Sequence, residues 1–398
     1  MALTTYQQPA AYTPNYNPQR FKVLSNQTAS SDFMYRVICT DIITGESQTY
    51  NIKHRPDNNQ LWFDAKIFTD QFIKNYIPNN VYGFQPCTDA VRKIRVNIGE
   101  YYGATYYAGS NYDYIIWNGV ARPLDWVYFD YTDYVYELAT NQVSLEQMAT
   151  GFTFSDKSEY LYFLGGATAP QGIIVDTYDS GGTLIGTSTI ANPYYSSTDY
   201  TKRYLAIDIG LKGLTNIPSA LVTGAYPIIT ASVASYNVSD SYPFLQTFYK
   251  EMTVLCEPRF TVYTIHYLAN NGRFETLHFN KMSEFTEISE KTFYRQNPNA
   301  AYGTSWGYGL DAQWEKALSS TGQEQLLLNT DWLSEDQFIY HRQLFTSPVV
   351  CLDYGSTTGL VPVKVTTNSI LVNKGFNKKN DGITIVVEPT YKNTYQHG

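Results

Sequence analysis

The sequence predicts a mainly β protein, with two or three β-sandwich-like domains and a few short helices. Three observations predict it. Of 398 residues 37 are tyrosine while only 16% are charged, and a ring with a polar tip suits half-buried pleated surfaces and subunit contacts. Apolar residues alternate at period two in short runs, such as Val361, Val363 and Val365, then Ile383, Ile385 and Val387. Turn residues, among them Thr44-Gly45, Asp57-Asn58 and Asn118-Gly119, divide such runs at the spacing of a sandwich.

Residues 1–20 carry Pro9, Pro14 and Pro18 among Gln, Asn and Tyr. Proline spacing of this kind excludes a helix or a central strand, so an extended N-terminal arm is expected that either flops or lies along a neighbouring subunit, with Tyr12 and Tyr16 as candidate assembly or glycan contacts. A first β-sandwich is expected over residues 21–140, with strands at 35–43, 48–53, 91–102, 112–117 and 127–134. Ile67, Phe68, Phe72 and Ile73 have roughly helical spacing and predict a short amphipathic helix over 65–76. The segment 140–150 has helical character that Gly151 ends.

A second β-sandwich-like domain is expected over 155–250, where Asp179-Ser180-Gly181-Gly182 joins strands at 173–178 and 183–190. The C-terminal β domain spans 253–398. Its clearest hairpin pairs 260–269 with 273–279 around Asn270-Asn271-Gly272. An inserted polar and aromatic segment follows at about 293–328. Ser334 and Gln337 then form a capping box for a helix over about 335–345, with Phe338, Ile339 and Phe345 on its apolar side and Pro348 ending it. Strands at 360–367 and 383–387 close the chain.

The formal net charge of −8 argues against a large nucleic-acid surface, which needs clustered Lys and Arg, so no direct nucleic-acid binding is expected. Lys374, Lys378 and Lys379 read as a solvated hairpin tip. No run of 18 apolar residues and no basic-apolar leader is present, so the expectation is synthesis in the cytoplasm with no transmembrane segment. Cys39, Cys87, Cys256 and Cys351 form no CxxC pair and read as small buried apolar residues.

His266 and His278 share a hairpin and are the one histidine pair to test as metal ligands. A two-residue turn at Asn271-Gly272 would set His278 across from Ile265, with the imidazoles on opposite faces; another loop length would bring them together, but no third ligand is evident. Asp176 and Asp179 lack the alternating oxygen ligands of a calcium loop and read as a turn. No nucleophile elbow, phosphate loop or zinc-protease motif occurs. The expectation is therefore no catalytic residue, no metal and no cofactor, and not an enzyme. Tyr101, Tyr102, Tyr106, Tyr107, Tyr302, Trp306 and Tyr308, set among Gly, Ser, Thr and Asn, are candidate contacts, either for sugar rings or for subunits.

Several stretches resemble a family of virion structural proteins from tailed bacteriophages and prophages of Bacteroidota. They are AYTPNYNP from Ala11, YLYFLGG from Tyr160, YTIHYLANNGRFETLHFN from Tyr263 with Cys256 before it, SPVVCLDYG from Ser347, LVPVKVTTNS from Leu360, and the last strand before YKN. Each is short, and together they touch most of the chain. The resemblance implies a virion component of tail, neck or baseplate, with no catalytic residues to carry over. The partners it implies are copies of itself and other tail or neck proteins, with a symmetric ring as the expected assembly. Two other functions stay open: a module that binds a host surface glycan through exposed aromatics, and a capsule depolymerase.

Overall fold

The computed structural model describes residues 3–76, 83–121, 129–136, 145, 150–154, 157–167, 169–179, 181–210, 228–235, 244–255, 259–295, 301–302, 305–306, 315–353, 359–367, 382–391 and 393–394. Strand makes up 55% and helix 9%, so the protein is mainly β. The chain divides into two compact units, Met1–Glu257 with Leu268–Glu275, and Pro258–Tyr267 with Thr276–Gly398.

In the first unit a three-stranded sheet is ordered β1 (Leu3–Gln7), β3 (Arg20–Ser25), β6 (Gln60–Asp64). A five-stranded sheet is ordered β2 (Tyr12–Pro14), β9 (Thr105–Trp117), β8 (Val91–Tyr102), β4 (Met34–Asp41), β5 (Ser47–Ile52). Alternation decides which side chains turn inward. Tyr35, Val37 and Cys39 of β4 join Ile94, Val96 and Ile98 of β8 and Phe21, Val23, Leu61 and Phe63 of the smaller sheet in one core. Each fully buried Val, Leu, Ile or Phe among them contributes about 1.5–3 kcal/mol.

A second pair of sheets in the same unit encloses its own core. One is ordered β10 (Val135–Tyr136), β12 (Tyr160–Gly165), β15 (Tyr204–Asp208), β7 (Gly83–Pro86). The other is ordered β11 (Thr150–Phe154), β17 (Phe244–Leu255), β16 (Ile228–Ser235), β13 (Gly172–Tyr178), β14 (Leu184–Ala191). Leu161, Phe163, Leu205 and Ile207 meet Ile173, Val175, Ile190, Met252 and Val254 between them.

The second unit is built on an eight-stranded sheet. Its order is β19 (Phe274–Phe279), β18 (Tyr263–Leu268), β24 (Val350–Asp353), β25 (Leu360–Val365), β26 (Thr384–Pro389), β23 (Glu315–Asn329), β20 (Glu284–Arg295), with β27 (Asn393–Thr394) also paired to β23. A two-stranded piece joins β21 (Ala301–Tyr302) to β22 (Ser305–Trp306).

Several expectations change. Residues 3–20 are extended apart from a turn at 15–17, but they lie on their own chain: β1 pairs antiparallel with β3 and β2 pairs parallel with β9. Side-chain amides anchor the segment, since Asn17 Nδ2 donates to Ala121 O (2.9 Å), Gln19 Nε2 donates to Thr69 Oγ1 (2.8 Å), and Tyr114 OH donates to Gln19 Oε1 (2.8 Å). The helix expected over 65–76 is a single turn, α1 (Lys66–Thr69), whose N-cap Ala65 offers no side-chain acceptor. Phe68, Phe72 and Ile73 still reach the core, while Ile67 is 72% exposed.

The strand expected over 127–134 gives way, in its described part, to a 3-10 turn at Tyr131–Asp133, held by the Asp130 carboxylate accepting from Thr132 N (2.9 Å). The helix over 140–150 lies largely outside the described residues, as do Lys374, Lys378 and Lys379. The segment 293–328 is no simple insertion: β23 is a central strand, with β20 on one side and β26 and β27 on the other. The second helix forms as α2 (Glu335–His341) with both bonds of its capping box, Ser334 Oγ accepting from Gln337 N (3.2 Å) and Gln337 Oε1 from Ser334 N (3.1 Å). It ends four residues early in a 3-10 stretch, Arg342–Thr346.

Candidate functional site

The β8–β9 hairpin carries four of the predicted contact tyrosines, and strand alternation splits each Tyr-Tyr pair between the two faces. Gly103 (φ 56°) and Ala104 (φ 60°) close it, with the left-handed backbone that a two-residue hairpin loop requires. Tyr101 and Tyr106 pair across the strands on the outer face of the sheet. The Arg36 guanidinium lies against both rings, 4.7 Å from the Tyr101 centroid and 5.1 Å from that of Tyr106, and its Nε donates to Asn51 Oδ1 (3.1 Å). Tyr106 OH donates to Asn97 Oδ1 (2.6 Å), and Asn97 Nδ2 donates to Asn111 Oδ1 (2.7 Å). Gly99 makes the layout possible, because a Cβ there would stand 2.6 Å from Tyr106 Cε2. Burial raises the Tyr106 hydroxyl pKa and the Arg36 charge opposes that rise.

Tyr102 and Tyr107 point the other way. They stack on each other at 4.6 Å, with Phe33 beyond Tyr102 at 6.2 Å, at the rim of the first core. Tyr12 is buried, stacked on Tyr131 at 5.8 Å. Tyr16 is 44% exposed with Lys66 Nζ 5.4 Å from its ring. Tyr302 and Trp306 fall on β21 and β22, where Tyr302 pairs with Ser305 and Trp306 with Ala301. Tyr308 lies outside the described residues.

Trp62 is an aromatic contact that composition did not single out. It is 47% exposed on the outer face of the three-stranded sheet, with the Arg55 guanidinium 4.4 Å and Lys22 Nζ 5.1 Å from its ring. Beside it a cleft of about 310 Å³ is lined by Phe21, Phe63 and Trp62 together with Gln7, Arg20, Lys22 and Asp64. A signal was present: in Leu61-Trp62-Phe63 the neighbours are buried, so alternation turns the tryptophan outward.

Both outer faces offer ring surfaces, amides and fixed cations, which suit stacking and hydrogen bonding rather than proton transfer. Asp113 takes two bonds from Arg95 (2.7 and 2.8 Å), which hold its carboxyl below the usual range. Asp208 behaves oppositely, its pKa pushed up to about 6 by burial. It accepts from Glu159 N (3.1 Å) and Gly210 N (2.9 Å), tying down a strand end inside the unit.

The histidine geometry departs from the two-residue turn. Ala269 N donates to Arg273 O (2.8 Å) and Gly272 N to Ala269 O (3.0 Å), so the loop is the three residues 270–272, with Gly272 at φ 92°. His278 Nδ1 bonds Thr264 Oγ1 (3.0 Å) and His266 Nδ1 bonds Thr276 Oγ1 (3.3 Å). Both imidazoles therefore share one face, each against a threonine. Among the described residues no group of three or more His, Cys, Asp or Glu side chains comes together to hold a metal. No protein-family model matches the chain, and no curated protein is significantly similar to it.

Proposed function

We propose that this protein is a structural component of a bacteriophage virion, assembling as part of a tail, neck or baseplate ring. The observation that carries the assembly part is the ribbon of β20 and β23. From Glu284 to Tyr294 every side chain of β20 is exposed, including Phe285 (61%), Ile288 (43%) and Phe293 (55%), and Leu318 on β23 adds 58%. A chain that works alone has no use for a long strand with bare aromatics, whereas an assembling chain covers them with a neighbour. The tyrosine-rich composition and the resembling stretches support the particle context. Quantitative mass spectrometry of gradient-purified, salt-washed particles tests it. Many copies per particle are expected, and absence from washed particles would sink the reading.

Trp62 favours a second reading, recognition of a host surface glycan. An exposed indole beside a largely apolar cleft can stack on the C–H face of a pyranose ring while the Gln7 amide and Asp64 carboxylate at its wall bond hydroxyls. Saturable binding on a glycan array that Trp62→Ala abolishes would favour it.

A further inference from the structure

We infer that the free edge of β20 is built to pair with β20 of a second copy, antiparallel, about a two-fold axis at Ser289. The inference deepens the assembly reading above and rests on it for the expectation of self-contact; the partner and the register come from the strand itself.

The edge is unpaired among the described residues and carries no bulge. Among the described residues β23 alone pairs with β20, leaving its outer row of backbone donors and acceptors without a strand. The one irregularity of the ribbon falls on β23, where Leu318 is the extra residue, so β20 itself carries no bulge. Edge strands are normally protected by bulges, prolines or shortness. This one has twelve residues and none of those devices.

Its sequence is close to a palindrome. Residues 285–293 read Phe-Thr-Glu-Ile-Ser-Glu-Lys-Thr-Phe. Set antiparallel with Ser289 opposite its own copy, Phe285 meets Phe293, Thr286 meets Thr292 and Glu287 meets Lys291, each twice by symmetry. One face of the joint sheet then runs Phe, Glu, Ser, Lys, Phe against Phe, Lys, Ser, Glu, Phe. Aromatic, threonine and opposite-charge pairs are the cross-strand combinations that stabilise a sheet. On the other face the only mismatch is Ile288 opposite Glu290. The neighbouring two-fold registers lie two residues away and are worse: both part the Phe–Phe and Glu–Lys pairs, and one of them sets Glu290 against its own copy. The charges that would keep strangers off this edge therefore select a copy of the same strand in one register.

The test uses the full chain in solution. Light scattering across a concentration series is expected to show a dimer. Under mild oxidation Ser289→Cys is expected to give a covalent dimer, while Phe285→Cys, far from its own copy in this register, gives none above the unsubstituted chain. Glu287→Lys alone and Lys291→Glu alone each place like charges opposite one another twice and are expected to weaken the dimer about tenfold. Mixing the two variants restores opposite charges at both positions and returns affinity to within about threefold of the original. These positions are exposed, so unchanged melting confirms that the variants fold. A monomer at every concentration overturns the inference, as does a dimer indifferent to both charge reversals or linked equally well through residues 285 and 289. The particle reading is judged separately, by the copies found in washed particles.

Discussion

The hairpin of β18 and β19 is buried on both faces, whereas β20, which follows it directly in the chain, is exposed on both. Ile265, Tyr267, Leu277 and Phe279 fill one side of the hairpin, and Thr264, His266 and His278 are enclosed on the other. Its tip, Leu268–Glu275, belongs to the first unit. There Tyr204 OH donates to Gly272 O (2.7 Å), Trp117 Nε1 donates to Asn271 O (3.2 Å), and Arg273 pairs with Glu275 in full burial. Both elements pair into the sheet, β20 along one edge alone among the described residues, but only the hairpin adds buried apolar area to stability. The contrast separates what makes a strand from what makes a core, and it is the observation on which the proposed assembly rests.

The largest effect that would break this contrast is expected in the hairpin. Phe279→Ala removes a fully buried ring and should lower stability by about 3–5 kcal/mol in chemical denaturation. A loss below about 1 kcal/mol would mean that the hairpin is not core.

Gly272→Ala should destabilise by about 3 kcal/mol or prevent folding, since a Cβ would stand 1.7 Å from Asn118 O on a residue at φ +92°. Thermal melting of the purified variant checks it. A melt equal to the parent's would show that the tip is not seated as described.

Buried charge sharpens the comparison through pH. With its pKa raised from 3.8 to about 6, Asp208 keeps a proton in the folded chain that the unfolded chain releases. Stability from this group is thus full below pH about 4, falls as pH rises through about 6, and is level above. Asp208→Asn keeps the acceptor for Glu159 N and Gly210 N and should flatten that part of the profile of melting temperature against pH.

The smallest effect is expected on the ribbon. Phe285→Ala, measured at a dilution where the chain is monomeric, should change stability by less than about 0.5 kcal/mol, because the ring is 61% exposed. A loss comparable to that of Phe279→Ala would contradict the division between core and contact strands.

The same contrast explains what could be read from residues alone. The hairpin was legible because its apolar residues flank a Gly-bearing turn, and the capping box at Ser334 was legible because its two bonds are local. β20 was not, since a strand exposed on both faces carries no apolar alternation. Among its described side chains β23 buries apolar ones only near its end, at Leu326 and Leu328, and β9 was foreshortened because 105–111 has no alternation either. Loop length decided the histidine faces, and a choice between two and three residues depends on hydrogen bonds that composition does not record. Alternation already implied that Tyr101 and Tyr102 part company; partners such as Arg36 and Asn97 come from strands that only the fold brings together.

Cryo-electron microscopy of intact particles tests the central claim most directly. The account predicts density for repeated copies of this chain in a tail, neck or baseplate ring, with Phe285, Ile288 and Phe293 covered by a neighbouring subunit. Particles in which the chain is absent, or present with β20 open to solvent, would contradict it.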